Sequence, residues 1–151
     1  MLFRSAVFER HLGTGRVGVG LVRGFGLERG ALASTIAHDA HNVVAVGVSD
    51  EDLLAAVRRL GELGGGIVVV DNGEVASELP LPVAGLLADA PLRQVIAQSL
   101  ACNDAARALG WSGATPFLTL SFLGLSVIPS LKITDRGLVD VDRFEIVPLQ
   151  V

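Results

Sequence analysis

The stretch of residues 43–79, VVAVGVSDEDLLAAVRRLGELGGGIVVVDNGEVASEL, contains the strongest local signals of secondary structure in the chain. Ser49 is a good helix N-cap because its hydroxyl can accept a hydrogen bond from the backbone N–H of Asp52. The acidic residues after Ser49 suit the positive end of a helix. Apolar side chains then recur on one helical face as far as Leu63, and three glycines follow. The sequence therefore predicts an amphipathic helix over residues 50–63.

Short apolar segments on both sides of this helix predict the strands of a central sheet. Residues 31–37 and 43–48 are rich in alanine and β-branched side chains, as short buried strands are. Residues 67–70 and 74–79 flank an Asn-Gly pair, which is typical of a tight hairpin turn. We therefore predict an α/β (α+β) fold: a single domain with a small mixed sheet, one β-hairpin and two main amphipathic helices.

The second main helix is predicted to begin at Pro91 and to end before Gly110. Its predicted apolar stripe consists of Leu92, Val95, Ile96, Cys102, Ala106 and Leu109. Cys102 is then a core residue. Residues 116–129 are apolar and irregular, and they allow a short helix followed by a strand. Residues 131–147 predict short strands around a turn at 135–137.

Composition and charge exclude several classes of partner. The chain has 151 residues, about the length of one domain. Its net charge of −4 comes without a cluster of lysine or arginine, so we expect no binding to nucleic acid or to an anionic membrane. No apolar run approaches the roughly 18 to 20 residues that a membrane span needs. A single cysteine cannot form an internal disulfide, which favours a cytoplasmic location.

Residues 13–18, GTGRVG, match the dinucleotide-binding fingerprint letter for letter. That motif works only between a strand and a helix whose N-terminus holds the pyrophosphate. The segment before it is short and charged, and the segment after it is too rich in glycine for a helix. The sequence therefore predicts a structural glycine loop here, with no nucleotide bound.

The sequence HDAHN at residues 38–42 contains the strongest candidates for chemistry. His38 and His41 could ligate a metal or exchange protons near neutral pH, and Asp39 could orient or activate them. The alternative is structural: Asp39 and Asn42 would satisfy backbone groups of a turn while the histidines pack at an interface. The residue types leave both interpretations open.

Known metal and nucleotide motifs are missing elsewhere in the chain. The sequence contains neither H-E-x-x-H nor a P-loop. Its three histidines are too few for the usual catalytic zinc site unless carboxylates help. We therefore expect no metal or cofactor in this chain alone.

Three long blocks of the sequence resemble a known family. They are ERHLGTGRVGVGLVRGFGLERGALASTIAHDAHN, GGGIVVVDNGEVASELPLPVAGLLAD and PFLTLSFLGLSVIPSLKITDRGLVDV, in this order. Residues 6–151 are thereby identified as similar to the C-terminal domain of adenine deaminases, within the amidohydrolase superfamily. The resemblance implies a parent enzyme that converts adenine and water to hypoxanthine and ammonia.

The resemblance also implies where the rest of that enzyme lies. The family's divalent metal, Mn or Fe, is held in a (β/α)₈ barrel that precedes this domain, and nothing in this sequence matches the barrel's histidine motif. We therefore expect a C-terminal domain without its catalytic barrel. Residues 1–5 are interpreted as a non-native leader, since Leu2-Phe3-Arg4-Ser5 is also what the end of a common sequencing adapter encodes.

Two function classes follow for this chain. In the first, the domain packs against its own N-terminal amidohydrolase barrel, and His38, Asp39, His41 and Asn42 line the adenine site as substrate contacts or as supporting groups. The chain alone would then not deaminate adenine, and it could also form homo-oligomers. In the second, it is a stand-alone, non-enzymatic binding or oligomerisation module.

Overall fold

A computed structural model describes residues 2–149 of the chain as three α-helices and nine strands. The elements in chain order are β1 Phe3–Phe8, β2 Val17–Val22, β3 Ala31–Ser34, β4 Val43–Gly47, α1 Asp50–Leu63, β5 Gly66–Asp71, β6 Glu74–Pro80, α2 Leu92–Ala108, α3 Pro116–Ser121, β7 Leu131–Thr134, β8 Gly137–Asp140 and β9 Glu145–Val147. Six strands form one sheet in the order β2-β1-β4-β3-β5-β6, and β7, β8 and β9 form a second. The predicted α/β single domain is confirmed.

The strand directions correct one detail of the prediction. Every strand pair within residues 2–149 is antiparallel, so the predicted mixed sheet is wrong. Strands β4 and β5, which α1 connects, do run in the same direction, but β3 lies between them and is antiparallel to both. A strand–helix–strand pattern therefore indicates the relative direction of two strands without indicating whether they are neighbours.

The central strands are buried on both faces because helices cover both sides of the large sheet. On one face, Leu53, Ala56 and Leu60 of α1 pack against the small side chains of β3, β4 and β5. On the other face, α3 packs against β3 and β4, and Cys102 and Ala106 of α2 join the same core above β5 and β6. Two covered faces explain why these strands are continuous apolar runs instead of alternating ones.

The predicted helix and hairpin are confirmed. The Ser49 hydroxyl accepts a hydrogen bond from the Asp52 N–H at 3.2 Å, and Gly64 ends α1 in the left-handed conformation with φ 74°. Strands β5 and β6 pair on either side of the Asn-Gly turn. The Arg59 guanidinium of α1 makes two hydrogen bonds, of 2.7 and 2.9 Å, to the Glu78 carboxylate of β6, so the helix is also fastened to the hairpin.

Strand β2 lies in the glycine-rich segment, where its glycines face inward. A side-chain carbon at Gly18 would lie 1.8 Å from the Thr134 carbonyl oxygen of β7, so only glycine allows the small sheet to approach this closely. The apolar Val17, Val19 and Leu21 consequently face outward. Residues 13–16 form the glycine loop that was predicted, and strand β2, not a helix, begins at Val17 within the motif.

The sequence pattern did not indicate strand β1. It begins at Phe3 and pairs with both β2 and β4. Three of the residues interpreted as a leader, Phe3, Arg4 and Ser5, therefore lie in the sheet, and Phe3 and Ser5 are buried. Whether the leader is foreign in origin stays a prediction that concerns the underlying DNA.

The second helix buries less of its predicted stripe than expected. Cys102 and Ala106 are buried, but Leu92 is 73% exposed and Ile96 is half exposed. The helix packs mainly on the edge strand β6, which covers only its C-terminal part. Burial raises the pKa of the Cys102 thiol, so this residue is an inert core residue, as predicted.

The segment 116–129 also differs in part from its prediction. The short helix exists as α3, but it continues into a single 3₁₀ turn at Phe122–Gly124 instead of a strand. The predicted short strands of residues 131–147 are confirmed as β7, β8 and β9, with a turn at 135–136 between the first two. Within residues 2–149, no helix combines the length and the apolar character needed to cross a bilayer.

Candidate functional site

A cleft of about 480 Å³ lies between the turn that joins β3 to β4 and the small three-stranded sheet. Cavities that bind small ligands are usually about 300–1,000 Å³. The structure brings all four predicted site residues to this cleft: His38, Asp39, His41 and Asn42. Its lining combines apolar side chains with further polar groups. The apolar ones include Val44, Ile133, Val139 and Ile146, and the polar ones include Ser126, Asp135 and Arg136.

A second cavity, of about 680 Å³, lies between β2 and the small sheet, but it offers less chemistry. Most of its lining is apolar, and its charged groups are Lys132, Arg143 and Glu145. It contains no imidazole, thiol or paired carboxylates among the described residues. The smaller cleft is therefore the candidate functional site, because size alone does not provide a nucleophile or a proton carrier.

His38 is held by two neighbours from the α3 region. Its Nδ1 lies 3.0 Å from the hydroxyl of buried Ser121, and that hydroxyl donates to the Leu118 carbonyl oxygen at 2.7 Å. The Phe122 ring stacks on the imidazole with centroids 5.3 Å apart and planes at 17°. The ring of His38 is thus fixed in orientation while it stays partly exposed on the cleft wall.

His41 is held by the backbone of its own turn. Its N–H donates to the Ala37 carbonyl oxygen at 2.7 Å, and its ring Nδ1 accepts from the Ala37 N–H at 3.2 Å. The residue has φ 50°, a left-handed conformation in which histidine is enriched among non-glycine residues. The two imidazole centroids lie 6.3 Å apart. Both rings therefore face one small region of the cleft.

Asn42 and Asp39 have opposite environments. Asn42 is buried: its Oδ1 accepts from the Arg10 N–H at 3.4 Å, and its Nδ2 donates to the Asp135 carboxylate at 3.3 Å. Asp39 is exposed, and its carboxylate has no hydrogen bond or ion pair within residues 2–149. Asn42 thus links its own turn to the Arg10 backbone and to Asp135, whereas Asp39 lies at the rim of the cleft.

Two residues near the N-terminus support the site, and sequence reasoning missed both. The Arg10 guanidinium donates to the His41 carbonyl oxygen and, at 2.8 Å, to that of Ala84, so it connects two turns. His11 Nε2 lies 2.6 Å from the Ala40 carbonyl oxygen. Burial lowers the pKa of Arg10. No local pattern pointed to these contacts, because 29 to 74 residues separate the partners in the chain.

A carboxylate fixes the loop that carries these residues. Glu9 accepts hydrogen bonds from the backbone N–H groups of His11, Leu12 and Thr14, at 2.5, 2.7 and 2.9 Å, and from the Thr14 hydroxyl. These bonds, with the Thr14 and Leu12 N–H groups first, lower the pKa of Glu9 from 4.5 to about 2. The Glu9–Thr14 loop is therefore ordered by an ionised carboxylate close to the cleft.

The donor set of this chain does not fit a hydrolytic metal centre. Within residues 2–149, no three His, Cys, Asp or Glu side chains are grouped as a metal site would require. In each cleft histidine, Nδ1 already has a hydrogen-bond partner. The Asp135 carboxylate already forms an ion pair with the Arg16 guanidinium, with Nε and Oδ2 2.8 Å apart. Catalytic zinc sites need three protein ligands with an open position. The cleft therefore offers two fixed imidazoles beside an apolar lining, without a three-ligand group among the described residues.

The comparison with known proteins agrees with the resemblance read from the sequence. The sequence profile of the family described as "Adenine deaminase C-terminal domain" matches residues 2–145. A protein named adenine deaminase from Oleidesulfovibrio alaskensis is 51% identical over 148 residues, which are 98% of this chain and 26% of that protein. One named adenine deaminase 2 from Carboxydothermus hydrogenoformans is 54% identical over 149 residues, with 98% and 26% covered.

A third relative has a similar identity and the same coverage. The adenine deaminase of Bacillus subtilis is 49% identical over 150 residues, which are 99% of this chain and 26% of that protein. This chain therefore spans about a quarter of the length of the curated relatives that it matches. Because the family profile covers nearly all of the described residues, the chain belongs to the adenine deaminase C-terminal domain family.

Proposed function

We propose that this chain is the C-terminal domain of a metal-dependent adenine deaminase. The parent enzyme would be a hydrolase that adds the oxygen of water to C6 of adenine and releases the exocyclic amino group as ammonia, leaving hypoxanthine. The observation that carries this proposal is the match to proteins named adenine deaminase over 98% of the chain but only 26% of their length. The single buried cysteine supports a cytoplasmic location.

The chemistry would be divided between this chain and the N-terminal part of the parent. A divalent manganese or iron ion held by an N-terminal amidohydrolase barrel would supply the activated water. Here, His38 and His41 would contact the purine and exchange protons, Asp39 would stand at the rim, and Asn42 would hold the turn in place. The 26% coverage of the relatives supports this division, because most of their length lies outside the part that this chain matches.

We propose that the barrel packs over the face that carries the cleft. Two exposed apolar side chains lie at the cleft: Phe122, which stacks on His38, and Ile146, which lines the cleft. Exposed apolar side chains beside a cleft favour an interaction site there. A barrel placed there would cover these side chains and close the cleft over the substrate.

A fusion protein tests the proposal. The part of the Bacillus subtilis adenine deaminase that this chain does not match would be joined to this chain, and ammonia release from adenine would be measured with Mn²⁺ or Fe²⁺ present. We expect the fusion to be active, and both the truncated relative and this chain alone to be at least about 100-fold slower, as misplaced active-site groups are. A fusion no more active than the truncated relative would refute the proposal.

The alternative, a stand-alone oligomerisation module, is favoured by one observation. On the outer face of β2 and the adjacent part of α1, Val17, Val19, Leu21 and Leu54 are exposed together. If this strip is a self-association surface, the chain should sediment as a dimer, and Val19→Ser should make it a monomer. Equal sedimentation of both proteins as monomers would exclude this alternative.

A further inference from the structure

The two cleft histidines are each held at one nitrogen and free at the other. The partners of the two Nδ1 atoms are Ser121 and Ala37, while neither Nε2 has a hydrogen-bond partner within residues 2–149. A neutral imidazole carries one proton, so the partner of one nitrogen decides whether the other donates or accepts. The tautomers can therefore be derived from the surrounding groups.

For His38, the neighbouring serine decides the tautomer. A carbonyl oxygen can only accept, so the 2.7 Å contact from Ser121 to Leu118 uses the single hydroxyl hydrogen. The hydroxyl oxygen must then accept the hydrogen bond at 3.0 Å, and His38 Nδ1 must carry the proton. Neutral His38 consequently presents an unprotonated Nε2, which is a hydrogen-bond acceptor.

For His41, a backbone amide decides the tautomer in the opposite sense. The Ala37 N–H can only donate, so the 3.2 Å contact makes His41 Nδ1 the acceptor. Neutral His41 then carries its proton on Nε2, which is a hydrogen-bond donor. Two histidines of one turn, with centroids 6.3 Å apart, thus present one acceptor and one donor.

We propose that this pair recognises the amino edge of a 6-aminopurine. Adenine presents an exocyclic N–H donor beside a ring-nitrogen acceptor, the complement of a His38 acceptor beside a His41 donor. The proposal rests on the proposed function for its substrate, and it adds a role for each ring. Ser121 is then a positioning residue, which acts through His38 without touching the purine.

Nitrogen NMR of the chain labelled with ¹⁵N-histidine tests the tautomers without any activity. The chain has only three histidines, so the spectrum is simple. At about pH 8, where a free imidazole is neutral, we expect the proton of His38 on Nδ1 and that of His41 on Nε2. Finding the same tautomer at both residues overturns the proposal, whatever the variants do.

Variants of Ser121 identify the cause of the tautomer. Ser121→Ala should remove the preference of His38 for Nδ1–H and leave the His41 signals unchanged. Ser121→Thr, which keeps the hydroxyl, is the matched control and should restore the preference. An unchanged His38 spectrum in Ser121→Ala would overturn the positioning role.

Kinetics of the fusion protein with two ligands test the recognition. Unsubstituted purine lacks the amino donor, so it can bond to His41 but not to His38. His41→Ala should raise the inhibition constant of purine and lower kcat/KM for adenine, each by about 3- to 10-fold, as expected for one hydrogen bond. His38→Ala should lower kcat/KM for adenine by at least as much and leave the inhibition constant of purine within about 2-fold.

The outcomes separate this inference from the proposed function. An active fusion in which His38→Ala weakens purine and adenine equally overturns the recognition and leaves the deaminase assignment intact. A fusion that binds adenine without releasing ammonia refutes the deaminase function. The recognition is then tested by comparing the affinities of the two histidine variants for adenine and for purine. A fusion that releases ammonia at the wild-type rate in both histidine variants also overturns the recognition.

Discussion

At the scale of single residues, the site depends on polar groups that connect distant segments. Asn42 lies between the Arg10 backbone and the Asp135 carboxylate, and Asp135 in turn pairs with Arg16 at 2.8 Å. Only one orientation of the amide satisfies both partners, with the oxygen toward the N–H and the nitrogen toward the carboxylate. Because Asn42 is buried, these bonds have little competition from water.

Removal of this link should reduce stability. Asn42→Ala leaves the Arg10 N–H without its partner, so we expect the free energy of unfolding to fall by about 1–3 kcal/mol. Asp39→Ala, at the exposed rim, is the control and should change it by less than about 0.5 kcal/mol. Urea unfolding of the two variants measures the difference. Equal midpoints would show that Asn42 does not hold the turn.

The Glu9 loop should make stability depend on acid. The folded state lowers the pKa of Glu9 from 4.5 to about 2, so its ionised form stabilises the fold above the unfolded value. That contribution is lost as the pH falls from about 4.5 to about 2. Glu9→Gln should therefore be less stable than the original chain at neutral pH, and the two should converge near pH 2. A difference that does not vary with pH would contradict this expectation.

At the scale of elements, a buried carboxylate joins helix α1 to the β5–β6 hairpin. Asp52 Oδ1 accepts from the Gly73 N–H at 2.6 Å, and its other oxygen accepts from the Ser49 hydroxyl at 3.1 Å. Gly73 has φ 81°, which the tight turn requires. One residue thus links a helix cap to a hairpin turn, and this fixes the helix against the sheet.

Substitutions at these two residues should not be additive. Ser49→Ala removes the cap and should cost about 1 kcal/mol. Asp52→Ala leaves the turn N–H unpaired and should cost about 1–3 kcal/mol. Because both variants break the same hydrogen bond, the double variant should lose less than the sum, by at least about 0.5 kcal/mol. Denaturant melts of the four proteins measure this coupling, and strict additivity would refute the link.

At the scale of the whole molecule, two apolar surfaces lie uncovered. One borders the cleft and includes Phe122 and Ile146, which are 39% and 58% exposed. The other is the outer face of β2, where glycines take the inward positions. Both surfaces lie where the described residues provide no covering element.

A substitution at the first surface tests where the N-terminal part docks. When this chain is added separately to the truncated Bacillus subtilis enzyme, Ile146→Ser should raise the concentration needed for half-maximal activity by about 10-fold or more, the value of one buried isoleucine, because Ile146 is exposed and lines the cleft. Leu92→Ser is the control, because that exposed residue lies on α2 and lines no part of the cleft. Equal shifts in both variants would place the contact elsewhere.

The sequence by itself determined the elements whose signals are local. The Ser49 cap, the glycine stop after Leu63 and the Asn-Gly turn act between residues at most a few positions apart. They therefore predicted α1, the β5–β6 hairpin and the strands around them. The same reasoning placed His38 and His41 in a turn between two strands, and the long sequence blocks identified the family.

Only the tertiary structure decided the parts that depend on packing between remote segments. The inward positions of β2 require glycine because β7 packs directly against them. The sheet is antiparallel because β3 pairs between β4 and β5. The cleft is built from contacts that span 31, 83 and 93 residues, made by Arg10, Ser121 and Asp135. Helix and strand propensities and helix caps carry no information about such contacts. The hydrogen bonds of these long-range contacts form only when the folded sheet has brought the segments together.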